Sequence, residues 1–301
     1  MKLFMLLILI SGALFARSVV PPRIVYPNLN IFEKAQMNDD GTVSVKATSY
    51  DEVGRFKRNG TRITLPLEQY EEFKRLSMPV FQMIPESEHP ANDGRRGTAF
   101  SIGESLVLTN AHVLNMEFKN TTECADFQIK NNEGHTFDCK KVHYCSAFQD
   151  VCLIEIKPLT ISKKACLFCA SEKIQISLAD GPALKLKASY FPTNNDHEVM
   201  TAIGNSGGWG IHISQGRGIE REINRFKFWA PIRSGNSGGA LINEEGLVIG
   251  VVKQETNFKI SQFTNYVYNI ATPTDIVISL IRRALQDDPE TLEKFNRSVV
   301  E

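Results

Sequence analysis

The sequence predicts an all-β protein closed by a C-terminal helix, and three observations carry that prediction. From about Pro79 to Thr274 the chain is a succession of short apolar or alternating runs, among them 98–102, 105–108, 151–156 and 247–252, divided by Gly, Pro, Asn and Asp. Many short strands with turn signals between them specify a sandwich or a barrel. After Pro273-Thr274-Asp275 the period changes, and Ile276–Leu285 reads as a helix with Thr274 or Asp275 near its N-cap. Composition agrees: 42% of the 301 residues are apolar and 23% charged, 34 basic against 34 acidic. A sizeable core follows and intrinsic disorder is excluded. Balanced charge gives no footing for a nucleic-acid footprint or a polybasic membrane patch.

The elements before that body differ in kind. Lys2, the apolar run 3–10 and the small residues of 11–16 have the layout of a secretory signal peptide, cut between Ala13 and Arg17. The run is short for a membrane span, which needs about 20 residues. This predicts an exported protein, extracellular or periplasmic, with no stable membrane anchor. Residues 17–78 carry an alternating stretch at 42–47 and a short helix near Leu67–Leu76, where Leu67, Tyr70, Phe73 and Leu76 recur every third residue. No chemistry stands out there, and the segment is expected to brace the body, which spans 79–285. Residues 286–301 read as a polar tail.

The six cysteines are Cys124, Cys139, Cys145, Cys152, Cys166 and Cys169. In an oxidising compartment an even count implies disulfides, whose connectivity the spacing cannot rank. Zinc held by Cys139, His143, Cys145 and the Cys166–Cys169 pair is a second reading, but the spacing fits no closed site well. No metal or cofactor is expected.

Three strings carry chemistry. Leu108-Thr109-Asn110-Ala111-His112-Val113 follows a strand-like run, Gln149-Asp150-Val151-Cys152 opens another, and Ser234-Gly235-Asn236-Ser237-Gly238-Gly239 lies between apolar segments. Acyl transfer needs a nucleophile, a base to take its proton and a carboxylate to orient that base. Ser237, His112 and Asp150 supply those roles. Glycine at 235 permits the tight loop that aims backbone N–H groups at an oxyanion, so the hole is assigned to the N–H groups of Gly235 and Ser237. Gly-Asn-Ser-Gly-Gly occurs twice, at 204–208 and 235–239, which makes Ser206 a rival nucleophile. The apolar run, turn and second apolar run that follow Ser237 favour Ser237. Asp126 and Asp138 also follow His112, but only Asp150 opens a clear buried strand. His89, His135, His143, His197 and His212 read as surface or polar-loop residues.

At these strings the sequence resembles the chymotrypsin-fold serine proteases, and most closely the bacterial trypsin-like branch that includes the HtrA-type and glutamyl endopeptidases. The order His, Asp, Ser is theirs. Gly97-Thr98-Ala99-Phe100, Ala202-Ile203-Gly204-Asn205, the 243–250 run and the closing helix also match, so the resemblance covers about 79–285. It implies two packed antiparallel β-barrels with the cleft between them, His112 and Asp150 coming from the first and Ser237 from the second. It implies a secreted endopeptidase acting on protein or peptide substrates. The alternative is a catalytically silent relative that binds peptides in the same cleft.

Two departures matter. Digestive members pair a new N-terminal ammonium with an Asp just before the nucleophile. Asn236 stands there and has no charge, so Arg23-Ile24-Val25 is read as coincidence and the site is expected to form without that ion pair. The HtrA-type proteins add PDZ domains, for which residues 286–301 leave no room. The substrate pocket is assigned to Pro231, Ile232, Val251 and Val252 and suits a small or medium apolar side chain.

Overall fold

The computed structural model describes residues 28–50, 56–57, 62–85, 97–114, 124, 127–164, 171–190, 198–259 and 265–301. The predicted signal peptide, the Arg23-Ile24-Val25 string, His89, Asp126, Cys166, Cys169 and His197 lie outside them. The chain begins with strands β1 (Asn28–Asn30), β2 (Gln36–Met37), β3 (Thr42–Tyr50), β4 (Phe56–Lys57) and β5 (Arg62–Pro66), then helix α1 (Leu67–Ser77). Next come β6 (Val80–Pro85), β7 (Gly97–Gly103), β8 (Leu106–Thr109), β9 (Phe127–Lys130), β10 (Thr136–Ser146) and β11 (Val151–Ile156). These six close into an antiparallel barrel in the order β10-β11-β8-β7-β6-β9.

A hairpin of β12 (Leu159–Lys164) and β13 (Ser171–Ile176) and the short β14 (Leu186–Lys187) lead to the second half. There β15 (Val199–Gly204), β16 (His212–Arg221), β17 (Phe226–Trp229), β18 (Ala240–Ile242), β19 (Val248–Lys259) and β20 (Asn265–Pro273) run in the order β15-β18-β19-β20-β17-β16. The β15–β16 pairing closes this second barrel. Closure removes the exposed edges that strands this short could not otherwise protect. The predicted two-barrel architecture is the observed one.

Each barrel fills its own interior. Phe81, Ile129, Phe137, Val142 and Ile154 pack inside the first, and Met200, Phe226, Phe228, Leu241 and Ile249 inside the second. A third cluster joins the barrels to everything else. Leu29 and Val45 from the N-terminal strands meet Phe100 and Leu153 of the first barrel and Ile203 and Val251 of the second. Ile281 and Phe295 of the C-terminal helices complete it.

The N-terminal strands are integral to the second half. β1 pairs antiparallel with β16 on one side and with β3 on the other, so β1 and β3 continue the sheet of the second barrel. In α1, Phe73 and Leu76 are buried while Leu67 is exposed. Residues three apart rotate by 300° at 3.6 residues per turn, so a run of such steps drifts round the helix and carries Leu67 off the buried side.

Helix α2 (Thr274–Ala284) buries Val277, Ile278 and Ile281, a spacing of three and four that keeps one face inward. Its N-cap is Pro273, one residue earlier than the capping residues expected. The polar tail holds a further element. Asp288 accepts from the Thr291 N–H and hydroxyl, Pro289 takes the first turn, and α3 (Pro289–Asn296) follows, with Phe295 fully buried. Strand β21 (Val299–Val300) then pairs with β14. An Asp N-cap before Pro is a helix start that survives a polar composition.

Two disulfides lie in the first half, Cys124–Cys139 and Cys145–Cys152, the second joining facing residues of β10 and β11. They commit Cys139 and Cys145, so the zinc reading loses two of its thiolates.

His143 and His212 also depart from expectation. His212 opens β16 opposite Asn30 of β1 and is covered by it, 4% exposed. The His143 side chain is buried with its Nε2 3.1 Å from Glu155 Oε2. Burial holds both imidazoles below their ordinary value, and for His143 it outweighs the nearby Glu155 and Asp288 carboxylates. The unfolded chain therefore binds protons that the fold refuses. The stability this contributes is present above the ordinary value of about 6.5 and is lost as pH falls below it. The urea midpoint is expected to drop between about pH 7 and pH 5; a level midpoint across that range contradicts neutral burial of these rings.

Candidate active site

His112 follows β8 in a short helical turn, 112–114, whose Leu114 N–H bonds the Ala111 carbonyl. Asp150 stands immediately before β11, the strand that pairs with β8. The pairing of Cys152 with Thr109 brings the two functional residues together just past the strand ends. Asp150 has φ of +56°, a left-handed conformation that Asp tolerates better than most residues. Asn110, fully buried, donates to the Asp150 carbonyl at 2.6 Å and holds that bend. The carboxylate is then used twice: Oδ1 accepts from the His112 backbone N–H at 3.0 Å, and Oδ2 lies 2.7 Å from His112 Nδ1. Asp150 is 5% exposed, while the imidazole is about one-third open to solvent. A buried carboxylate on Nδ1 leaves Nε2 as the ring's acceptor.

Ser237 lies between β17 and β18, in a loop that several bonds fasten to the rest of the molecule. The Thr98 N–H donates to the Ser237 carbonyl at 2.8 Å, the Thr98 hydroxyl to the Gly235 carbonyl at 2.6 Å, and the Gly238 N–H to the Val252 carbonyl at 2.8 Å. Gly238 faces the first barrel so closely that a Cβ there would sit 2.1 Å from the Thr98 carbonyl and 3.1 Å from the Asn110 nitrogen. The Ser237 loop thus abuts the backbone two residues before His112. The Ser237 hydroxyl donates to the Lys253 carbonyl at 3.0 Å.

The N–H groups of Asn236, Gly238 and Gly239 are engaged by the carbonyls of Arg233, Val252 and Asn236. Those of Gly235 and Ser237, the two assigned to the oxyanion, meet no acceptor among the described residues. Residues 233–236 form a hydrogen-bonded turn with Gly235 at its third position and φ of +95°. That is a type II turn, which requires φ above zero there.

The rival serine is placed differently. Ser206 is 2% exposed, and its hydroxyl accepts from Asn28 Nδ2 at 2.8 Å. The two copies of Gly-Asn-Ser-Gly-Gly lie back to back: the Gly207 N–H donates to the Ser234 carbonyl at 2.8 Å, and a Cβ on Gly235 would come within 2.3 Å of the Asn205 carbonyl. Asp138 is exposed on β10, paired with Gln128 of β9. Asn236 is buried and donates to the Arg233 carbonyl at 3.0 Å, a neutral contact where the digestive enzymes would have an ion pair.

Of the pocket residues, Pro231 is half-buried and Ile232, Val251 and Val252 are buried. Neighbours on one strand point to opposite faces. Val251 accordingly joins the cluster between the barrels, while Val252 and Ile232 line the second barrel. Asn28, Asn110 and Thr98 were not singled out by the sequence reading. Asn110 and Thr98 sit inside quoted strings, but Asn28 belongs to no motif and only the fold brings it here. No cluster of three or more His, Cys, Asp or Glu side chains suited to a metal occurs among the described residues.

Known proteins resemble the chain in sequence and in fold. The family of the trypsin-like peptidase domain matches over residues 97–251. The chain is 28% identical over 158 residues to the periplasmic pH-dependent serine endoprotease DegQ of Escherichia coli, a stretch covering 52% of this chain and 30% of that protein. It is 25% identical over 189 residues to the serine protease Do-like HtrA of Lactococcus lactis subsp. lactis, covering 62% of this chain and 42% of that one. The chain thus spans less than half the length of these curated relatives. The crystal structure of the serine endoprotease from Yersinia pestis superposes with a TM-score of 0.53 at 20% identity, over 74% of this chain and 68% of that one, a likeness of fold.

Proposed function

We propose that this chain, which belongs to the trypsin-like peptidase domain family, is a serine endopeptidase in which Ser237 attacks, His112 moves the proton and Asp150 orients the imidazole. The observation that carries the reading is the carboxylate–imidazole pair at 2.7 Å beside the Ser237 loop. In the first step the Ser237 hydroxyl leaves the Lys253 carbonyl, its proton passes to His112 Nε2, and Oγ bonds to the substrate carbonyl carbon. The carbonyl oxygen becomes an oxyanion held by the N–H groups of Gly235 and Ser237. His112 then gives its proton to the departing amine as the C–N bond breaks, leaving an acyl-enzyme. Water, deprotonated by His112, attacks the acyl carbon, and the imidazolium returns the proton to Ser237 Oγ as the acyl C–O bond breaks, releasing the acid product. Each oxyanion donor contributes about 100- to 1,000-fold in rate.

A small or medium apolar residue is the expected preference next to the cut; of the four residues assigned to the pocket, Pro231 is partly exposed, while Ile232, Val251 and Val252 are packed in the hydrophobic clusters. Export to an oxidising compartment is supported by the two disulfides. Among the described residues no helix is long and apolar enough to cross a membrane.

A fluorophosphonate probe tests the reading. Labelling mapped to the Ser237 peptide is expected. Labelling at Ser206 overturns the assignment, and a folded chain that takes no label favours a silent peptide binder.

A further inference from the structure

We propose that the N-terminal strand switches on the oxyanion site, with Asn28 as the positioning residue that acts through the Ser206–Gly207 loop on the Ser234–Gly235 peptide. The inference rests on the catalytic reading above and adds to it a residue far from the nucleophile in sequence.

The chain of contacts is short. Types I and II of a four-residue turn differ by a half-rotation of the central peptide, which moves its carbonyl and its N–H to opposite sides. In the 233–236 turn that peptide joins Ser234 to Gly235. Its orientation decides whether the Gly235 N–H or the Ser234 carbonyl faces the substrate oxygen. The Ser234 carbonyl is held by the Gly207 N–H at 2.8 Å, and this bond keeps the turn in the form that frees the Gly235 N–H. Gly207 is next to Ser206, and Ser206 is tied through its hydroxyl to Asn28 Nδ2 at 2.8 Å. The same amide donates to the Pro231 carbonyl at 3.2 Å, so one side chain ties the Ser206–Gly207 loop to the segment just before the turn.

Asn28 is well held for this task. Leu29 beside it is fully buried, and β1 is paired on both edges, to Ile213 of β16 and to Ala47 of β3. The Asn28 side chain is itself fully buried, and its Oδ1 meets no partner among the described residues. An apolar residue of that size would fill the space without stranding an acceptor. The amide is accounted for by what its two donors hold. With Asn236 neutral, the ordering that a charged pair supplies in digestive enzymes falls here to neutral hydrogen bonds delivered by the N-terminal strand.

The test uses the full chain and the rate at which a fluorophosphonate modifies Ser237, separated into its affinity and its maximal rate. Asn28→Ala and Ser206→Ala are each expected to lower the maximal rate by about 10- to 100-fold with affinity unchanged, less than deletion of an oxyanion donor. The double variant should lose no more than Asn28→Ala alone, because the bond that Ser206→Ala cuts is one of the two that Asn28→Ala removes. Hydrogen exchange at the Gly207 amide, which is bonded to the Ser234 carbonyl, should quicken in Asn28→Ala while β15 and β18 stay protected. A folded Asn28→Ala with an undiminished rate overturns the proposal, as do additive losses in the double variant. Should Asn28→Ala not fold, an unchanged rate in Ser206→Ala overturns it equally. A wild-type chain without label removes the catalytic reading, and unaltered exchange at Gly207 in Asn28→Ala removes the strut independently of it.

Discussion

Ser237→Ala should leave a folded protein whose turnover is lower by about a million-fold, the scale seen when the nucleophile of such a constellation is deleted. Ser237 contributes one side-chain hydrogen bond, to the Lys253 carbonyl, and its loop is held by backbone bonds to Thr98 and Val252 that the substitution leaves in place. The unfolding midpoint should therefore hardly move. Peptide binding should persist, since the cleft keeps its shape, and fluorophosphonate labelling should vanish. Ser206→Ala is the contrasting variant. Its loss is confined to the smaller factor that belongs to positioning, because the Ser206 hydroxyl is buried against Asn28 and is not free to attack. Substantial turnover in Ser237→Ala would show that the nucleophile lies elsewhere.

Asp150→Asn is the second large effect, about 10,000-fold in kcat with substrate affinity near normal. The geometry says why an isosteric change is so damaging. Asp150 Oδ1 accepts from the His112 backbone N–H, so an asparagine must present its carbonyl oxygen there. Its amide nitrogen then takes the Oδ2 place, 2.7 Å from His112 Nδ1, and donates to the ring. The imidazole is driven to carry its hydrogen on Nε2, where it has no lone pair for the serine proton. Asp150→Ala removes the misdirecting donor but also the orienting group, and takes from the His112 N–H its acceptor. Turnover of Asp150→Asn within about tenfold of wild type would argue against His112 as the base.

The chemistry-bearing residues were legible because their motifs are local. His112, Asp150 and Ser237 each sit in a string bounded by strand-like runs, and the strand after Asp150 is continuously apolar. The hairpin after Ser237 was legible too, and the structure shows its turn closed by Asn243 and Leu247. Other parts depend on facts no local pattern carries. β1 has three residues, too few for a period to show, so the role of Asn28 emerges only when β1 lies beside β16. The same pairing buries His212. In 286–301 the Asp288-Pro289 start was present, but a helix that turns little more than Thr291 and Phe295 inward leaves almost no apolar periodicity. The disulfide partners follow from strand register, which brings Cys145 opposite Cys152.

All six cysteines fall between residues 124 and 169, so the barrel that bears Ser237 has none. Both cross-links described here brace the half that bears His112 and Asp150. A thiol reductant therefore acts on the two halves unequally. It slackens the partner that shuttles protons, two residues from Asp150 at Cys152, while the half carrying the hydroxyl has no bond to lose. In glutathione-rich surroundings both described cross-links would be lost from the half that carries His112 and Asp150, and the other half would lose none.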